Sequence, residues 1–391
     1  MKLSDIKIAY RDHSQNIWLV RATGGRYVRH FRNGSVITVS HLDEFYNHID
    51  ELDNAIPSEA TIKSLILKNP KYREKNSPTR KLNQSGVTKL QQITTFINKI
   101  KKGDLIVSVD DMNVSIGICQ SSKAKFSSRP IKSSSAAKKN HSTLNHRLRK
   151  KVNWGPLVKR ENLSSSLKKS LQSPKTIVSL NDHWQSIYSL LYPFFFDDKN
   201  IYFSHKIETK SDINSKLIAK LFDNLSNNQL IAERILDQTL DQDFIDLLIK
   251  DQIDWEEFSL TSKAEFMSPG VIFNKLPIPD HYNKNLAIAI ITTLMLINSG
   301  QISAEEAVSQ ISQSASISPT SVIDERYKRM DGNANIARLA SELMKEKESE
   351  LEEISKLQKA DQIKKKLKIS IPKHNTDELE GTIGIKAIGI K

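Results

Sequence analysis

Between residues 121 and 170 the chain carries fourteen Lys and Arg against a single acid, Glu161. So one-sided a segment cannot enter an apolar interior without a counter-charge for each cation, so any fold must leave most of it facing water or a polyanion. The charge of this stretch, +13, equals the formal net charge of the whole chain. Residues 1–120 hold 18 Lys and Arg and 12 Asp and Glu, whereas residues 171–391 hold 26 and 32. A basic N-terminal part is thus joined to a mildly acidic C-terminal part. That asymmetry points to a polyanion, such as nucleic acid, as the partner of the basic half.

Cys119 is the only cysteine, which excludes an internal disulfide framework and a Cys-rich zinc site and fits a reducing cytoplasm. The opening residues, MKLSDIKIAYRDHS, lack the apolar run of a signal peptide. Leu286–Ile297 is the most apolar stretch, and its twelve residues are too few to span a bilayer, so it reads as a buried core helix. No membrane association is expected. His141 and His146 stand in a polar loop without a matching ligand set, so neither a metal nor another cofactor is expected. P-loop, nucleophile-elbow and HExxH motifs are absent.

Periodicity divides the chain into three. In residues 1–180, Ile17–Ala22, Val36–Val39, Leu105–Val109, Val114–Cys119, Arg149–Trp154 and Thr176–Leu180 read as short strands. Ser58–Leu67 and Lys89–Ile100 have helical apolar spacing, and residues 121–145 form a solvated Ser/Lys loop. Residues 181–333 read as a mixed α/β, mainly helical effector or scaffold domain. Its expected pieces are a buried helix within Trp184–Phe196, cut off by Pro193, a strand at Ile201–Ile207, and helices at Ile213–Phe222, Leu230–Ile249, Leu286–Ile297 and Ser303–Ile311. Residues 334–391 read as one long charged helix, 335–367, followed by a β-prone tail. Leu339, Leu343, Leu351, Ile354 and Leu357 lie near heptad spacing, which offers self-association or a partner protein through that helix. The fold class is therefore α+β, a barrel-like domain followed by a mainly helical one.

An ordered series of motifs in the first 180 residues resembles a known domain. Trp18-Leu19-Val20-Arg21-Ala22 is followed by Tyr27, Phe31, Gly86, Leu90, Phe96 and Ile100-Lys101-Lys102-Gly103-Asp104-Leu105-Ile106-Val107. Ile116-Gly117-Ile118, His146-Arg147, Val152-Asn153-Trp154, Arg160-Glu161-Asn162-Leu163-Ser164, Leu167, Leu171 and Thr176-Ile177-Val178 continue it. The series is similar to the N-terminal recognition domain of Mrr-type restriction endonucleases and related bacterial defence proteins, within the PUA-like group that includes EVE and YTH domains. That resemblance implies a distorted β-barrel that holds a flipped, often modified, base in an aromatic pocket, in a restriction or antiviral defence system. Where the family usually has Gly-Trp after its second strand, this chain has Ser40-His41. Either His41 takes the place of that tryptophan or the pocket differs.

On this reading the base pocket draws on Trp18, Arg21, Tyr27, His41 and Trp154. The strand backbone is gripped by Lys138, Lys139, Arg147, Arg149, Lys150, Lys151, Lys159 and Arg160. Each has a structural alternative, since tryptophan within a strand is usually core and an arginine beside it often makes an internal ion pair. The principal expectation is a non-catalytic reader of nucleic acid. A second reading is a modification-dependent nuclease with Asp198, Glu208 and Lys210 around Mg²⁺, on the pattern of an acid followed by acid-x-Lys on a strand. A third is a scaffold that assembles through 335–367.

Overall fold

The computed structural model describes residues 7–21, 23–45, 56–74, 81–133, 143–265, 270–278, 281–316, 333–372, 376, 379 and 385–389. The fold is mixed α+β. Two compact units divide the chain. The first takes residues 12–190 and 374–386, and the second takes 1–11, 191–373 and 387–391. Each unit thus draws on both ends of the chain, whereas the periodicity of the sequence divides it serially at 180 and 333. The causes are local. Lys7–Arg11 pairs in parallel with Phe194–Phe196 and buries Ile8, while Leu379 is buried against Gly155.

In the first unit the strand order is Ile177–Ser179, Ile17–Val20, Leu105–Val109, Asn113–Cys119, Leu148–Lys159 and Val36–Val39. Ile17–Val20 and Leu105–Val109 are parallel, and the other neighbours in this order are antiparallel. The sheet curls into a half-barrel. Leu148–Lys159 makes the curl possible: its first residues pair with Val36–Val39 and its later ones with Asn113–Cys119, across an irregularity between Ser115 and Gly117. Gly117 permits this approach, because a Cβ there would stand 2.6 Å from Asn153 O and 2.8 Å from Trp154 Cε3.

Two helices, Glu59–Lys68 and Gln84–Thr94, pack against the sheet through Ile62, Ile66 and Ile93. Ser58 and Asn83 cap them by accepting from Thr61 N at 3.2 Å and Gly86 N at 2.9 Å. The second helix continues as a wider π turn over Thr95–Lys99, which buries Phe96.

The sheet of the second unit has the order Thr261–Glu265, Gly270–Pro277, Asn200–Ile207, Phe194–Phe196, Lys7–Arg11 and Ile385–Gly389, with Ile369–Ser370 also paired to Asn200–Ile207. Lys284–Asn298 is buried nearly all round, as its apolar composition demands. The aromatic run Trp184–Phe196 forms a helix, Trp184–Tyr188, that ends before Pro193, and the residues beyond that proline form the strand Phe194–Phe196. Ser215–Leu236 is one helix through Leu230. It ends at Gln238, whose φ of +59° breaks it before Gln242–Ile249.

The long charged helix is also corrected. Residues 333–367 form three helices, Asn333–Glu346, Glu348–Leu357 and Ala360–Leu367, interrupted at Lys347 and at left-handed Lys359. Breaking the rod lets Leu343, Met344, Leu351, Ile354, Ile363 and Leu367 all enter the core of this unit. Of the near-heptad residues, Leu343, Leu351 and Ile354 are thus buried within the chain, whereas Leu339 and Leu357 are exposed. No described helix is long and apolar enough to cross a membrane.

Candidate nucleic-acid interface

Five residues were expected to line a base pocket, and the fold separates them. Trp154 is core: it is 4% exposed, its ring stacks on Phe31 with centres 6.5 Å apart, and its Nε1 donates to Phe31 O at 2.9 Å. Trp18 is partly buried, and its Nε1 donates to Asp104 Oδ2 at 2.9 Å. Asp104 also accepts from Lys101 N at 2.8 Å and Asn16 N at 3.1 Å, so Trp18 braces the end of the sheet where Leu105 begins. Arg21 lies beyond the other end of the strand that carries Trp18. Burial takes Trp154 out of the expected pocket, whereas Trp18 keeps part of its surface exposed with its indole N–H committed to Asp104.

Tyr27 and His41 remain, and the fold adds His146. Strand register explains the meeting. Val39 pairs with Leu148, so His41, two residues beyond, and His146, two residues before, continue the same ladder off its end. Tyr27 contacts the edge of His146 with ring centres 5.7 Å apart and the edge of His30 at 5.1 Å. Thr38 Oγ1 and His146 Nδ1 are 3.0 Å apart, and Thr176 Oγ1 and His41 Nε2 are 3.5 Å apart. Gly25 sets the position of Tyr27. Its φ is +95°, and a Cβ would stand 2.3 Å from Val109 O, so only glycine lets the Thr23–Gly25 turn close against the sheet.

Electrostatics keep these rings neutral. Burial first, then the Lys89 ammonium and His146, depresses His41 to about 4. Burial and Arg149 bring His146 to about 4. A neutral imidazole offers one donor and one acceptor, and His41 Nδ1 is buried with no hydrogen-bond partner. Lys89 is held nearby, over the rings of Tyr72 and Phe45 at 4.7 and 4.9 Å, and donates to Glu44 and, at 3.0 Å, to the Tyr72 hydroxyl. Burial pulls its ammonium down to about 8. Tyr27, His41 and His146 are each partly exposed. Such an arrangement can stack a planar ring and read a neutral polar edge.

The expected backbone grip divides into three groups. Lys138 and Lys139 lie outside the described residues. Lys150 is corrected: it is 1% exposed, and its Nζ donates to the carbonyls of Ile97, at 3.1 Å, and Ile100 at the end of the π turn. Arg149 is largely committed to its own loop, with Nε to His146 O at 2.8 Å and Nη2 to Arg129 O at 2.6 Å. Arg147 is partly exposed and anchored by its N–H to Asp43 Oδ1 at 3.2 Å. Lys151 and Lys159 are exposed, the latter 3.4 Å from Glu161, and Arg160 is partly exposed.

Asp198 and Glu208 do not assemble a magnesium site. They flank opposite ends of Asn200–Ile207, a strand spanning roughly 25 Å at its usual rise. Asp198 accepts from the Tyr10 hydroxyl at 2.9 Å, and Glu208 pairs with Lys206 at 3.3 Å. Lys210 is exposed. Among the described residues, no group of three or more His, Cys, Asp or Glu side chains is placed to hold a metal ion.

Comparison with protein-family models, with curated proteins and with solved structures finds no match.

Proposed function

We propose that the first unit is a PUA-like reader that binds nucleic acid, DNA in the first instance, and receives an extruded or modified base against Tyr27, His41 and His146. What carries this reading is the convergence of those three partly exposed rings, the two histidines kept uncharged by burial, beside a segment with fourteen cations and one acid. A base removed from its stack needs a flat surface and edge hydrogen bonds, and its strand needs cations. Here a tyrosine supplies the surface, and His41, whose buried Nδ1 has no partner within the fold, supplies an edge partner once its ring turns toward the base. His41 stands where the resembled family has tryptophan, and it contributes a polar edge in place of a large apolar wall. The resemblance to N-terminal domains of Mrr-type enzymes supports a part in defence, with the second unit relaying the signal without catalysis.

The experiment is a titration of the full chain with single-stranded and duplex oligonucleotides across salt concentrations. Affinity is expected to fall steeply as salt rises, about 0.7 to 0.9 in logarithmic slope for each phosphate contacted. Binding that ignores salt, or no binding at low salt, refutes the proposal.

A further inference from the structure

Four strand ends meet at one end of the curled sheet. Ile17–Val20 and Leu105–Val109 run parallel and finish there, Leu148–Lys159 finishes there, and Ile177–Ser179 starts there. Arg21 follows the first strand, Asp110 the second and Arg160 the third, while Thr176 precedes the fourth.

The two arginines are held by backbone. Arg21 Nη2 donates to Leu171 O, and the Arg21 N–H donates to Thr176 O at 2.8 Å. Arg160 Nη1 donates to Asp110 O at 3.2 Å, and its N–H donates to Met112 O at 2.9 Å. Among the described residues neither guanidinium has a carboxylate partner within ion-pair distance. Arg21 Nε is buried with no acceptor. Arg160 is the charged neighbour that Arg21 feels, and burial followed by that repulsion holds the Arg21 guanidinium below its ordinary value.

Arg160 Nη1 is thus held at the end of the strand next to the one that Arg21 follows, and two like charges brought to one end of the sheet, one with a buried N–H unused, favour an anion placed with them. A guanidinium presents a planar fork that matches the oxygens of a phosphate, and two forks can share one group. Thr176 joins this place to the ring cluster, because its carbonyl accepts from Arg21 while its hydroxyl faces His41 Nε2 at 3.5 Å. We infer that Arg21 and Arg160 together hold one phosphate, the phosphodiester of a strand whose base lies against Tyr27. Arg21 thereby moves from reading a base to gripping a backbone. The source of the phosphate rests on the nucleic-acid reading above; the anion site itself does not.

The test uses the full chain and two readouts. Inorganic phosphate or sulfate, compared with chloride at equal ionic strength, raises the melting temperature of the wild type and not that of Arg21→Gln or Arg160→Gln. Binding of a single-stranded oligonucleotide weakens about tenfold in each variant, and the logarithmic salt slope falls by about 0.7. Arg160→Lys, which keeps a point charge without the fork, retains the slope and loses affinity, and it serves where a neutral variant folds poorly. No anion stabilisation of the wild type overturns the site, whatever becomes of nucleic-acid binding. Anion stabilisation lost in the variants supports the site even if no oligonucleotide binds. Anion stabilisation with unchanged oligonucleotide slopes overturns the strand as its source and assigns the site to a free phosphate compound.

Discussion

Tyr27 meets the edge of His146 with ring centres 5.7 Å apart. The two lie far apart in sequence, Tyr27 ahead of the helix Val28–Asn33 and His146 ahead of the strand Leu148–Lys159. The contact exists because Gly25 folds its turn onto Val109 and because Val39 pairs with Leu148. Tyr27 is thus set by a glycine two residues before it, and His146 by strand register.

Gly25→Ala should therefore cost more than Gly24→Ala. Both positions have positive φ, +95° and +67°, but only a Cβ at Gly25 collides with backbone, whereas Gly24 faces open space. About 1 kcal/mol is expected for Gly24→Ala from conformation alone, and roughly 2–4 kcal/mol for Gly25→Ala once the collision is added. Chemical denaturation of the two variants gives the comparison. Equal losses would mean that the turn does not close as described.

Lys150 should behave as a structural residue and Lys151 as a surface one. Replacing Lys150 by Ala frees the carbonyls of Ile97 and Ile100 and empties a core position, at a cost of about 2–4 kcal/mol. Lys151→Ala should stay within about 0.5 kcal/mol. Urea denaturation distinguishes them, and the salt slope of nucleic-acid binding should change only for Lys151.

This pair shows how much was legible in the sequence. The alternation Leu148, Lys150, Val152, Trp154 already puts Lys150 on the apolar face by the period of a strand, yet charge alone assigned it to the surface. Strand positions followed from β-rich runs, and the apolar helix Lys284–Asn298 followed from composition. Tyr27 and His41 were legible from their places beside turns. Other features depended on register between distant segments: His146 and Thr176 stand in the motif series, but nothing local brings them together with Lys89 and Thr38 at the site. The same holds for the exchange of terminal segments, since a five-residue strand such as Lys7–Arg11 acquires meaning only from its partner.

His205 predicts an acid limit on stability. Both its ring nitrogens are buried without a hydrogen-bond partner, its ring meets the edge of Phe203 at 5.6 Å, and burial depresses it to about 4. The unfolded chain takes up its proton near the ordinary value of 6.5, so stability is full above that pH. It declines as pH falls from 6.5 toward 4, by up to about 1.4 kcal/mol per unit from this group. His205→Phe should flatten that part of the profile. An unchanged profile would place the sensitivity elsewhere.

Removing residues 333–391 should uncover the part of the core that Ala340, Leu343, Met344, Leu351, Ile354, Ile363 and Leu367 help to fill. The truncated chain is expected to aggregate or lose cooperative unfolding, and Leu351→Ala in the full chain should cost about 2–5 kcal/mol. Light scattering combined with thermal melting tests this. A well-folded truncated chain of smaller oligomeric size would instead return the segment to an assembly role.

The most direct measurement is a binding titration of the full chain against two short duplexes of one sequence, one fully paired and one with a single mismatched pair whose base leaves the stack readily. The account predicts tighter binding of the mismatched duplex, by about tenfold, with the preference lost in Tyr27→Ala while salt-dependent affinity for both duplexes remains. Equal binding of the two duplexes by the wild type, or a preference that survives Tyr27→Ala, would contradict it.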